Sequence, residues 1–232
     1  MKISFPGYNQ AETLSNFPAL VVLGPTNGFA YSQVASANGW DLLFLSADET
    51  QELNYEIESW NTNGASYVWV ELPQLATDTF IWACWGDRNR ASAPAPYLTN
   101  GAVWANGYAG VWHLANGVVL SGTDSTGNGN NGTVHNSAAT AGVIDGAAAF
   151  DGVSAYVDVG TPTSLMANQK STLSAWVYPV GGTVIMMKGS DNAQNSFGLE
   201  WLGNTSYLVS GRKLLFLEAV RNLEGGSEAV SG

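Results

Sequence analysis

The sequence predicts an all-β chain arranged as two tandem β-sandwiches, and three observations carry that prediction. Apolar and polar residues alternate with a period of two in short runs, the signature of strands with one buried face. Glycine, at 27 of 232 residues, punctuates those runs. No stretch before residue 212 repeats its apolar positions at the spacing of an amphipathic helix. With 45% hydrophobic residues, nine Trp, nine Tyr and eight Phe, the chain has the material for a core, which excludes disorder. At roughly 100–200 residues per domain the length suits one large domain or two small ones.

Taken in order, Pro18–Leu23 is a strand ended by Gly24-Pro25, and Trp40–Leu45 is one ended by Ser46-Ala47-Asp48. From Gln51 to Trp60, Leu53, Tyr55 and Ile57 share one face while Glu52, Asn54, Glu56 and Glu58 share the other. Asn61-Thr62-Asn63-Gly64 is a turn, and Ser66–Leu72 returns to complete a hairpin that Pro73 is expected to stop. Asp78–Trp85 follows, so about six strands precede residue 87. Arg88–Tyr97 contains Ala-Ser-Ala-Pro-Ala-Pro and reads as a linker. Later strand candidates are Val111–Leu114, Thr133-Val134, Ala147–Phe150, Ala155–Val159, Thr172–Pro179, Thr183–Lys188, Phe197–Leu202 and Ser206–Ser210. Lys213–Glu224 reads equally as a helix or a further strand. The expected division is a first sandwich over 1–88, a linker over 89–108 and a second sandwich over 109–232.

Charge narrows the function. Lys and Arg total 8 against 19 Asp and Glu, a net charge of −11, and charged residues are only 12% of the chain. No Lys or Arg lies between Lys2 and Arg88, and none from Ala91 to Gln169. A nucleic-acid partner, which requires clustered Lys and Arg to displace counterions from phosphate, is excluded. Anionic membrane surfaces and heavily sulfated glycans are disfavoured for the same reason. No apolar run reaches the ~18 residues of a membrane span. Met1–Pro6 lacks the apolar core of a signal peptide, so export is expected of a longer parent protein of which this chain is a fragment. Cys84, the one cysteine, forms no intrachain disulfide and is expected as a small buried hydrophobe.

Two sets of residues resemble known families. Asn16–Leu23, Trp40–Phe44, Leu53–Trp60, Val68–Pro73 and Trp85-Gly86-Asp87 resemble the bacterial domain-of-unknown-function family 2341 over about residues 2–88. The family usually has Tyr-Tyr-Gly-Asn where this chain has Cys84-Trp85-Gly86-Asp87. That resemblance implies an exported or envelope-associated β-sandwich often found beside sugar-related modules. Gly110–Leu114, Asp124–Thr133, Phe150-Asp151-Gly152, Ala155–Val159 and Leu173–Pro179 resemble the laminin-G-like branch of the concanavalin A-like lectin/glucanase superfamily over about residues 109–212. This resemblance implies a jelly roll that binds glycans or surface ligands and often holds calcium. The second sandwich is therefore expected to be a partial concanavalin A-like jelly roll, incomplete at its C-terminus.

Several constellations carry candidate chemistry. The Asp124–Gly132 loop offers carboxylate, hydroxyl and amide oxygens of the kind calcium takes, although the bidentate Glu that closes an EF-hand is replaced by His135. Asp124, Asn128 and Asp151 are the candidate metal ligands, with Asp158 a further one. The alternative is a surface turn of the kind Asn and Gly favour. Glu56 and Glu58, two apart on one strand, are close enough to raise each other's pKa and compatible with the short end of a glycosidase pair's spacing, but an acidic solvent face opposite Leu53, Tyr55 and Ile57 explains them. Sugar-cleaving members of the second family carry a Glu-x-Asp-x-Glu strand motif that this sequence lacks. His113 and His135 stand beside no nucleophile motif, and His113 is expected in the core. Tryptophan faces stack on sugar rings. Trp60, Trp104 and Trp201, near turns or in polar company, are the candidate ligand-binding residues, whereas Trp82, Trp112 and Trp176 are expected to be buried. The expected function is a non-catalytic carbohydrate- or surface-ligand-binding region of an extracellular or cell-envelope, multi-modular bacterial protein, with a neutral glycan or cell-surface ligand as partner. An ancillary or degenerate part of a polysaccharide-degrading enzyme and a structural spacer of an adhesin are the alternatives.

Overall fold

A computed structural model describes residues 1–115, 119–165, 172–178, 184–188, 197–202 and 205–210. The chain is all-β and its sheets are antiparallel. It divides into two compact units, one of residues 1–149 and 156–159 and the other of residues 150–155 and 160–232.

Six strands precede residue 87, five of them where the alternation places strands and the first not read from sequence: β1 (Lys2–Ser4), β2 (Leu14–Leu23), β3 (Leu43–Leu45), β4 (Tyr55–Ser59), β5 (Ser66–Leu75) and β6 (Phe80–Cys84). They form two three-stranded sheets, ordered β1-β6-β3 and β2-β5-β4. Inward side chains from both sheets make one core: Val21, Leu23, Val68, Val70 and Leu72 from the second, Phe44, Ile81 and Ala83 from the first. Each fully buried Val, Leu or Phe contributes about 1.5–3 kcal/mol, and Tyr55 adds a hydroxyl that donates to the Leu42 carbonyl at 2.8 Å. Asp41, 1% exposed, accepts from the backbone N–H groups of Ala35, Ser36 and Gly86 at 2.8, 2.9 and 2.7 Å, tying two loops together.

The expected hairpin is present: β4 pairs β5 around the Asn61–Gly64 turn, where Asn61 Oδ1 accepts from Asn63 N at 3.0 Å. Pro73 does not end β5. At that point β5 pairs only on its β2 side, and opposite the proline the ladder skips Asn16, whose φ is 48°, so no strand hydrogen bond is lost. Cys84 is exposed rather than buried, because alternation along β6 turns Ala83 into the core and leaves the strand's last residue outside.

Residues 89–108, read from sequence as a linker, include 3₁₀ turns at Pro96–Leu98 and Ala102–Trp104 that bury Leu98, Val103 and Trp104. Beyond them lie β7 (Thr133–His135), β8 (Ala138–Ala141), β9 (Gly146–Ala149) and β10 (Tyr156–Asp158), paired β8 with β9 and β10 with β7. Val111–Leu114 forms no strand.

In the second unit, β11 (Val184–Lys188), β12 (Phe197–Leu202) and β13 (Thr205–Ser210) form an antiparallel sheet. Trp176 is 58% exposed, contrary to the expected core position. Lys213–Glu224 lies outside the described residues.

Candidate functional site

Strand alternation builds the site on the outer face of the β2-β5-β4 sheet. Tyr55 and Ile57 point into the core, which turns Glu56 and Glu58 outward, and Val68 and Val70 do the same for Trp69. Glu56 lies directly across the ladder from Trp69. This face is not the open acidic surface that the sequence suggested. The Glu56 and Glu58 side chains are only 19% and 3% exposed, because the chain beyond residue 100 folds over them.

His113 closes the arrangement. Its Nδ1 lies 3.3 Å from Glu58 Oε2 and its Nε2 lies 3.7 Å from Glu56 Oε1. At 3.7 Å the Glu56 contact is an ion pair longer than a hydrogen bond, and the buried Nε2 has no hydrogen-bond partner. Each carboxylate also takes neutral donors. The Trp69 indole N–H donates to Glu58 Oε2 at 2.5 Å, the Trp104 indole N–H donates to Glu56 Oε2, and Ser125 Oγ donates to Glu56 Oε1 at 2.7 Å. The Trp69 ring lies nearly parallel to the imidazole, 6.0 Å away, and the Trp104 ring 5.5 Å away is tilted against it.

The three titratable groups move in different directions. Burial pushes Glu56 up, but the neighbouring His113 and the Trp104 and Ser125 donors outweigh it and hold the carboxyl below its ordinary value. Burial dominates at Glu58 and raises it, with Asp145 and Glu56 adding to the rise against His113 and Trp69. Burial pulls His113 down, yet the two carboxylates raise it overall. The two glutamates therefore do not simply raise each other.

In the loop expected to hold calcium, side-chain oxygens brace the loop itself. Asp124, 6% exposed, accepts from Val111 N (2.9 Å) and Thr126 N (3.0 Å) on Oδ1, and from Thr126 Oγ1 (2.8 Å) and Asn130 N (2.9 Å) on Oδ2. Asn128 Nδ2 donates to the carbonyls of Tyr108 and Ala109, and Trp112 Nε1 donates to the Asn130 carbonyl. A carboxylate has about four acceptor positions, and donors fill all of Asp124's, so this side chain does not fit a calcium ligand without losing bonds that brace the loop. The brace fixes the Val111 backbone and the Trp112 indole, and so aims His113 at the glutamates. Gly101, with φ 77°, lets the 102–104 turn approach this loop: a Cβ there would lie 2.3 Å from Gly127 N. Asp151, in the second unit, uses its carboxylate to cap its own turn, accepting from Val153, Ser154 and Ala155 N–H groups. Among the described residues no group of three or more His, Cys, Asp or Glu is arranged to hold a metal ion.

The candidate tryptophans are placed differently from one another. Trp104 is 5% exposed and belongs to the glutamate site. Trp60 is partly buried in an aromatic cluster with Phe29 and Tyr31, packed so closely that a Cβ on Gly39 would lie 2.8 Å from its ring. Trp201 lies on β12, opposite Ser206, and its side chain is outside the described set. Beside the glutamates lies a cavity of about 190 Å³, lined among others by Glu56, His113, Ser121, Thr123 and Ser125.

The sequence pairs Glu56 with Glu58 on one strand face but leaves His113 apart from them, as a core residue. The signal that joins them is charge: between Arg90 and Lys170 the histidines are the only side chains able to carry a positive charge, and two carboxylates on one strand face require one.

The first unit is thus an antiparallel β-sandwich whose outer sheet face is capped by the chain that follows it. Residues 38–101 match the family model described as Domain of unknown function (DUF2341). The match holds Glu56, Glu58 and Trp69, while β1 and β2, which complete the two sheets, and Trp104, His113 and Ser125 lie outside it. Comparison with curated proteins and with solved structures gives no match.

Proposed function

We propose that the chain is a non-catalytic binding region of an exported or cell-envelope multi-modular protein, and that it engages a neutral glycan or similar hydroxyl-rich surface ligand. The observation that carries this reading is the cavity of about 190 Å³, where the hydroxyls of Ser121, Thr123 and Ser125 stand beside the Glu56 carboxylate. Hydroxyls and carboxylates complement a ligand whose own hydroxyls both donate and accept. The low density of charge and the laminin-G-like resemblance of residues 109–212 support the same ligand class, and calcium is not required by it. Isothermal titration and a glycan array with the whole chain test it, and substitution of Thr123 by Val and Ser121 by Ala is expected to weaken whatever binding is found.

A second reading rests on the opposite displacements of the two glutamates, the relation expected of a catalytic acid and its ionised partner. Against it, the Glu58 side chain, although it lines the same cavity, is 3% exposed and its Oε2 already faces the Trp69 indole N–H and His113 Nδ1. An assay of reducing-end release separates the two, because activity that disappears in Glu58→Gln supports the hydrolase.

A further inference from the structure

We propose that the cavity beside Glu56 selects a sugar unit that carries a methyl group next to its hydroxyls, and that Leu114 is the residue that sets this preference. The proposal rests on the reading that this cavity binds a neutral glycan, and it narrows the ligand within that class.

The lining of the cavity has two chemistries. Glu56, Ser121, Thr123 and Ser125 supply oxygens, whereas Ile57, Leu114 and Ala115 supply aliphatic carbon. No Trp, Tyr or Phe is among its described lining residues, and the Trp69 and Trp104 indoles pack against the His113 imidazole instead. The flat C–H face of a pyranose is matched by an aromatic ring. An aliphatic wall matches a compact apolar group, and on a sugar that group is a methyl. A hydroxymethyl group in the same place would set its hydroxyl against carbon and give up hydrogen bonds to water without replacing them.

Two departures from regular backbone bring the aliphatic residues to this place. Leu114 has φ 53°, in the left-handed region that a bulky L-residue rarely occupies. Such conformations persist where the surroundings over-determine them, and they gather at ligand clamps. At Leu114 the surroundings do so: the residue before it, His113, stands between Glu56 and Glu58, and the Val111 N–H is held by Asp124. Half-buried Leu114 is thereby fixed at the cavity wall. On β4 the pairing with β5 shifts register between Ile57 and Ser59 and passes over Glu58. Bulges of this kind re-aim the side chains beside them. Ile57 accordingly packs against the core and also lines the cavity. The two irregularities lie on segments far apart in sequence and meet at one wall.

A methyl beside hydroxyls has two sources among neutral sugars: the terminal carbon of a deoxyhexose such as fucose or rhamnose, and the acetamido group of an N-acetylhexosamine. Calorimetric titration of the whole chain with matched pairs separates them: L-fucose against L-galactose, L-rhamnose against L-mannose, and N-acetylglucosamine against N-formylglucosamine. In at least one pair the methyl-bearing member is expected to bind about tenfold more tightly, the scale on which an apolar pocket resolves one such group, and that pair names the source. Leu114→Asn keeps a residue that tolerates the left-handed conformation and replaces the aliphatic side chain with a polar one, so it should leave the melting temperature near the parent's and bring the pair to near-equal affinity. Leu114→Gly, which removes both the side chain and the backbone strain, decides the matter if Leu114→Asn does not fold. A panel in which the methyl-bearing member is never favoured, or a preference that both variants retain, overturns the proposal while leaving the neutral-glycan reading intact. Absence of binding by every sugar overturns both.

Discussion

The Glu58 carboxylate and the His113 imidazole meet at 3.3 Å, one on a strand of the sandwich and the other on the segment that covers it. The covered face is therefore joined by charge as well as by the edge-to-face indoles of Trp69 and Trp104, whose ring centroids lie 5.2 Å apart. Removing one member of a buried pair leaves the other uncompensated, at a cost of about 3–5 kcal/mol. His113→Ala is expected to lose stability of that order at pH 6, read from the denaturant midpoint. In a Glu56→Gln/Glu58→Gln background the same substitution should cost much less, and equal losses in the two backgrounds would show that His113 contributes only packing.

Tyr55 is fully buried, and its hydroxyl donates to the Leu42 carbonyl at 2.8 Å. Tyr55→Phe preserves the ring and strands that carbonyl, so a loss of about 1–3 kcal/mol is expected. Burial also raises the Tyr55 hydroxyl well above its ordinary value, first through desolvation and then through the nearby Tyr97. Spectroscopic titration should therefore find this phenol silent until the chain unfolds.

Asp41 holds three backbone N–H groups from two loops. Each such charge-assisted bond contributes about 1.5–3 kcal/mol. Asp41→Ala is expected to lower stability by more than about 3 kcal/mol for that reason, and Asp41→Asn, which retains one acceptor oxygen, should lose less. A melting curve that places both variants beside the parent would contradict this role.

The Asp124 loop makes a prediction about calcium. Because donors occupy its acceptor positions, millimolar calcium is expected to leave the melting temperature where chelator leaves it, whereas a bound ion would raise it by mass action. Asp124→Ala, by contrast, should destabilise the region around His113. A calcium-dependent rise that Asp124→Ala removes would make the loop a metal site after all.

How much of this was legible in the sequence differs by element. The strands of the sandwich were, since Tyr55, Ile57, Val68, Val70 and Leu72 alternate with polar or outward residues and the Asn61–Gly64 turn joins them. The passage of β5 through Pro73 was not, because it depends on which side of the strand still has a partner. Composition identified Asp124–Gly132 as oxygen-rich but cannot tell an oxygen offered to a cation from one already accepting backbone N–H groups. The exposure of Cys84 turned on a single step of alternation. The glutamate site was hidden by distance: Glu56 and Glu58 looked solvated because the chain that covers them arrives only after residue 100. Only charge balance pointed toward His113, and that signal names a residue type rather than a contact.

The most direct measurement of the binding function is isothermal titration of the whole chain against a panel of neutral plant and algal polysaccharides at pH 6, in parallel with the Ser121→Ala/Thr123→Val variant. The account predicts saturable heat with at least one neutral glycan and a clear weakening in the variant. Absence of heat across the panel, or binding that the variant leaves unchanged, would contradict it.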